Sequence, residues 1–355
     1  MAVTNPAKLS TPATELLGIK HPVVLAGMFA VSSPKLAASV TNSGGLGVIG
    51  GVQYTPEALR EALVDLKNHL VDKNAPFGVD LLIPKVGGAA RKTNHDYSHG
   101  KLDELIEIII ESGAKLFVSA VGLPPKNVVE RLHKGGVLYM NMVGHPTHAQ
   151  KAIDNGADLI CAQGGEGGGH TGDIPTVILI PAIAKAIKGQ RSAFTGKDVV
   201  LIAAGGLFNG QSLAASLMLG ASAVWIGTRF ILAKESGTSA YHQKMLQETG
   251  FNEIIRTTVF TGRPMHARST PYIRRWEESR RQELLDLQSR GIIAIQHDLE
   301  IKPDDDEVLE NAHPVIMGKV AAMANEILPA KDIVEGIVEE ACECLAGGHV
   351  MLSKL

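Results

Sequence analysis

The sequence predicts an α/β fold, a (β/α)8 TIM barrel with a helical insertion after its eighth strand. Three observations carry that expectation. Eight short apolar runs follow one another between Pro22 and Lys234, most have a helical stretch behind them, and most are continuously apolar rather than alternating. Parallel strands covered on both faces read as unbroken apolar runs, whereas half-exposed antiparallel strands alternate. An open doubly wound sheet is the alternative, because periodicity counts strands without showing closure. No run leads into the dinucleotide glycine fingerprint with a downstream acid, which favours the barrel.

In order, the runs span 23–27, 46–49, 77–82, 115–119, 137–141, 158–163, 199–204 and 223–227. Helical segments read at 34–42, 55–71, 102–112, 125–133, 146–155, 175–188 and 210–219, several with Pro near the first turn and Gly after the last. Residues 1–234 therefore form the barrel. Residues 235–311 read as a helical, polar lid over its mouth, and 312–355 as C-terminal helices, at about 314–326 and 332–345, with an exposed tail. The basic, aromatic stretch Tyr272-Ile273-Arg274-Arg275-Trp276 reads as a solvated lid face, with a partner surface as the alternative.

Composition removes several function classes. Lys plus Arg 34 against Asp plus Glu 37 leaves no basic field for nucleic acid, and no apolar run approaches a membrane span. Three cysteines form no disulfide framework and suggest a reducing compartment. There is no G-x-S-x-G elbow and no P-loop lysine. His95, His99, His145 and His148 lack metal-ligand spacing, so no metal is expected. Ser353-Lys354-Leu355 reads as a peroxisomal import address recognised by an import receptor, with the cytoplasm as the alternative location.

Function on this fold gathers where strands end. Gly205 and Gly206 follow the seventh run, and Gly227 and Thr228 follow the eighth. Paired glycines let backbone N–H groups approach an anion at helix N-termini, and this is where barrels hold phosphate. After the sixth run comes Gln163-Gly164-Gly165-Glu166-Gly167-Gly168-Gly169-His170-Thr171-Gly172. Backbone this bare suits a flat cofactor or substrate lying against it, and His170 can take a proton near neutral pH.

These motifs resemble the nitronate monooxygenase family, most closely its fungal branch, together with Pro22–Met28, Asn42–Gly47, Gly227-Thr228-Arg229-Phe230 and Thr261-Gly262-Arg263-Pro264. The resemblance covers about His21 to Pro264. It implies FMN, with phosphate on Gly205, Gly206, Gly227 and Thr228, ring contacts from Gly27, Met28 and Gln163, Gly168 in the cofactor-binding block, and His170 as the base. Many members carry Asn where this chain has Asp80, and an ionised carboxylate cannot donate to a flavin. The implied activity is oxidation of small nitroalkanes or alkyl nitronates with O₂. Flavin enoyl-ACP reductases carry a similar block, so the alternative is an NAD(P)H reductase of the enoyl-thioester type. A non-enzymatic ligand-binding barrel is the third reading.

Overall fold

A computed structural model describes residues 9–51, 54–88 and 90–352. Its main sheet is made of β1 (Val23–Leu25), β2 (Gly47–Gly51), β3 (Phe77–Leu82), β4 (Leu116–Ala120), β5 (Leu138–Val143), β6 (Leu159–Gln163), β8 (Val200–Ala204) and β9 (Ala223–Ile226). All pairs are parallel, in the order β1-β9-β8-β6-β5-β4-β3-β2. Leu46 closes the ring just ahead of β2: its N–H donates to Val23 O and its carbonyl accepts from Leu25 N, both at 2.9 Å. The barrel expected from the sequence is therefore present.

Alternation along each strand explains why the runs are apolar throughout. One parity (Val24, Val48, Leu116, Leu138, Leu159, Ile202, Trp225) packs inside the ring. The other (Val23, Ile49, Phe117, Ile160, Leu201, Val224) packs under the helices. A short helix, Pro12–Leu17, places Ala13 and Leu17 in the interior cluster and plugs the bottom. There Asp158, fully buried, accepts from Tyr139 N (2.8 Å) and Ser192 Oγ (2.5 Å) and lies 3.0 Å from His133 Nε2. This Ser–Asp–His set belongs to the sealed end of the barrel, where such networks hold strands rather than substrate.

Three expectations need correction. The 235–311 segment is not purely helical: β10 (Ile254–Thr257) and β11 (Met265–Arg268) join β7 (Gly169–His170) in an antiparallel sheet. These strands are short and their partner lies far away in sequence, so local periodicity hides them. Residues 314–326 hold only a 3-10 turn, Lys319–Met323, because Gly318 and its neighbours run extended across the barrel rim. The stretch Tyr272–Trp276 is only half solvated: Arg274 and Arg275 are exposed, while its apolar residues turn inward. Tyr272 and Trp276 are buried, both donate to Asp298 Oδ2 (2.9 and 3.1 Å), and Arg280 lies 3.5 Å over the Trp276 ring.

The final helix, Ala330–Val350, runs longer than its apolar spacing suggests and docks on Gly210–Met218. Gly210 N donates to Glu340 Oε2 at 2.6 Å. Among the described residues no helix is long and apolar enough to cross a membrane. Ser353-Lys354-Leu355 lies outside the described residues.

Candidate active site

The open end of the barrel joins four pieces of chain. The first is the pair of glycine loops after β8 and β9. Gly205 (φ +91°) and Gly206 (φ +71°) occupy the left-handed region that side chains resist. A Cβ on Gly205 would meet Gly164 O at 2.7 Å, so space excludes a side chain there as well. The backbone N–H groups of Gly206, Gly227 and Thr228 donate to no protein acceptor among the described residues. N–H groups left over at one rim, two of them opening a helical turn, form a cradle suited to an anion.

The second piece is the floor. Met28 N donates to Ser32 Oγ (2.8 Å) and Gly50 N donates to the same oxygen (2.9 Å), which pins the β1 and β2 loops together. Met28 Sδ lies where a Cβ on Gly227 would be 3.2 Å away, and the Asp80 side chain lies within 2.5 Å of where Gly27 would carry one. Asp80 points inward from β3, 3% exposed, and its Oδ1 has no partner among the described residues. Burial pushes its carboxyl well above the ordinary carboxylate range. A carboxyl that keeps its proton can donate a hydrogen bond, which an ionised one cannot.

The third piece is the His170 strand. Gln163, at the end of β6, donates from Nε2 to His170 O (2.8 Å), and β7 pairs Met265 with His170. His170 Nε2 lies 2.9 Å from Thr261 Oγ1. Burial first, and then the nearby Arg263 charge, lower the imidazole to about 4. At neutral pH the ring is uncharged, with a cation beside it.

The fourth piece is the 312–328 segment. Gly318 N donates to Thr228 Oγ1 (3.0 Å), and Gly168 packs so tightly on Met317 and Gly318 that a Cβ would meet Gly318 N at 2.7 Å. Gly27, Met28, Asp80, Gln163, His170, Gly205, Gly206, Gly227 and Thr228 thus gather at one mouth, while Gly168 faces the strap above it. Glu166 is taken up structurally: both its carboxylate oxygens accept from Thr176 N (3.2 and 3.0 Å) and cap the helix Thr176–Ile187. Sequence reasoning gave no role to Thr261 or Arg263, although both sit in the Thr261–Pro264 motif. Their pairing with His170 is made across the β7–β11 sheet, which local patterns do not reveal. No group of three metal-ligating side chains occurs among the described residues.

Two opposed pH dependences follow. For His170 the folded value of about 4 lies below 6.5, so its contribution to stability is present above pH 6.5 and lost as pH falls through 4. For Asp80 the folded value lies above 3.8, so its contribution is present below that and lost as pH rises. Urea midpoints measured across pH 4–9 should show Asp80→Asn flattening the alkaline decline and His170→Asn flattening the acid one. Parallel curves for Asp80→Asn and the parent would place an ionised carboxylate in the floor.

Comparison with known proteins assigns the class: an enzyme, an oxidoreductase on a TIM barrel. The chain belongs to the nitronate monooxygenase family, whose model matches residues 10–340. It is 34% identical over 275 residues (77% of this chain, 70% of the relative) to a Mycobacterium tuberculosis (3aS,4S,5R,7aS)-5-hydroxy-7a-methyl-1-oxo-octahydro-1H-indene-4-carboxyl-CoA dehydrogenase. It is 29% identical to a probable nitronate monooxygenase of Staphylococcus saprophyticus, covering 76% of this chain and 82% of that one. Among solved structures, FabK from Thermotoga maritima superposes with a TM-score of 0.76 at 26% identity, covering 97% of this chain and 100% of that chain. A nitroalkane oxidase from Streptomyces ansochromogenes shares the fold at a TM-score of 0.76 and 24% identity, covering 94% and 99%.

Proposed function

We propose that the protein is an FMN-dependent oxidase or monooxygenase of small nitroalkanes and their nitronate anions, using O₂. The observation that carries this reading is the juxtaposition, at one mouth, of the acceptor-free Gly206, Gly227 and Thr228 N–H groups with the uncharged His170. The donor set fits FMN. The rim N–H groups suit its phosphate, and the unpartnered Asp80 Oδ1 below Gly27 suits a polar ring edge. When bound, FMN would take an electron pair from the substrate and pass it to O₂.

The chain's own groups favour an anion. Arg263 beside His170 supports a negative charge at the reacting end, and the neutral imidazole can orient it or accept a proton from the neutral carbon acid. Thr261 holds the ring through Nε2. His170 is itself part of the sheet β7–β11–β10, which fixes its backbone at this corner.

A second reading, reduction of an enoyl thioester by NAD(P)H through the same cofactor, draws support from the FabK likeness. Purified protein should be yellow, and under anaerobic conditions alkyl nitronate should bleach it. Rapid bleaching by NADH or NADPH with no response to nitronate would install the second reading. Colourless protein that declines added FMN would overturn both.

A further inference from the structure

The chain between β3 and the helix Leu102–Glu111 docks on the Thr261–Pro264 turn. Thr93, buried, fills the space that a Cβ on Gly262 would need, and Gly262 itself holds a φ of +66°. One residue on, the Asn94 amide makes two bonds of opposite sense. Its Nδ2 donates to Lys85 O (2.7 Å), which leaves Oδ1 to accept from Arg263 Nε (3.1 Å). The turn is therefore fixed at both ends. Thr261 Oγ1 lies 2.9 Å from His170 Nε2, and Asn94 holds Arg263.

That Nε bond decides which edge of the guanidinium is left over. An arginine carries five N–H donors; one is spent on Asn94, and those on Nη1 and Nη2 meet no acceptor among the described residues. No carboxylate there pairs with the group, while partial burial and the like charge of Arg91 both press on it. A half-buried cation with an unused planar fork calls for an acceptor from outside. Asn94 orients the fork without cancelling its charge, which an acidic residue in its place would do. We propose that Asn94 is a positioning residue that aims Arg263, whose two Nη groups grip, end-on, a short anion with two oxygens in one plane beside His170. Small carboxylates and nitronates share that shape, and the guanidinium fork matches it bidentately. The inference rests on the proposed oxidase reading only for which anion reacts. A carboxylate of the same outline should occupy the fork without turnover.

Propionate copies the heavy-atom outline of ethylnitronate, and propionamide copies propionate without its charge. A ligand-observed NMR titration of the full chain as purified should show propionate binding with a Kd on the order of millimolar, and propionamide at least tenfold weaker. Arg263→Lys keeps the charge and loses the fork, so it should weaken propionate about tenfold. Asn94→Ala should weaken propionate about fivefold and leave propionamide unchanged, whereas a merely structural loss would move both ligands together. In turnover, Asn94→Ala should raise KM for ethylnitronate by the same factor and leave kcat within about twofold. The proposal is overturned by propionate that fails to bind or binds no better than propionamide, by either variant binding propionate as the parent does, or by Asn94→Ala shifting both ligands alike. The comparison of the two ligands on the parent needs no variant, so a variant that misfolds does not shelter the proposal. Colour and anaerobic bleaching decide the flavin reading separately.

Discussion

His170→Asn should lower kcat/KM for a neutral nitroalkane by about 10²–10⁴-fold while lowering it for the matching nitronate less than tenfold. The neutral carbon acid must lose a proton, and His170 is the titratable side chain that Gln163 and Thr261 hold at the mouth. The nitronate arrives already deprotonated and needs only orientation. Because burial and Arg263 hold the imidazole at about 4, its basic form persists below the ordinary histidine range. Nitroalkane turnover should therefore keep its base between pH 7 and 5. The same depression weakens the base, so the parent enzyme should prefer the anion. Steady-state assays of both substrates across that range check all three statements. Equal losses on the two substrates would remove His170 from the proton-transfer step.

Gly205→Ala should cost about 2–4 kcal/mol of folding stability, measured without added flavin, and weaken FMN at least thirtyfold. Two independent causes act on one atom. A φ of +91° is costly for alanine, and its Cβ would press on Gly164 O at 2.7 Å and Gly164 N at 2.8 Å, which are backbone atoms with nowhere to go. Relief requires the β6 or β8 loop to move, and that movement carries Gly206 N–H out of the rim. Gly87→Ala is a suitable control. It also has positive φ (+78°), but nothing lies within 4 Å of its added methyl. It should lose stability alone. FMN binding that survives Gly205→Ala intact would detach the β8 loop from the phosphate.

Legibility differed with the distance over which each feature is encoded. The apolar runs could be read because both faces of a parallel strand are buried, as Ile160 and Leu159 on opposite sides of β6 illustrate. The glycines of the β6, β8 and β9 loops were visible because excess glycine is itself a local signal, and the structure gives each a steric reason. The lid was read poorly. Ile254–Thr257 and Met265–Arg268 are four-residue strands, and what makes them strands is a partner at Gly169–His170. Trp276 and Tyr272 looked like surface groups among arginines, yet Asp298, two helices later, draws them inward.

What the chain order alone determined is the ring of eight strands, the rim that carries the glycines, and the presence of His170 there, since each follows from patterns within a few residues. Tertiary structure alone decided the charge state of the site. The Asp80 carboxyl is pushed well above its ordinary range because the barrel interior surrounds it, and His170 is uncharged at neutral pH because burial and the Arg263 charge lower it to about 4. Desolvation and through-space charge depend on what folds near a group, and neighbours in sequence do not report that.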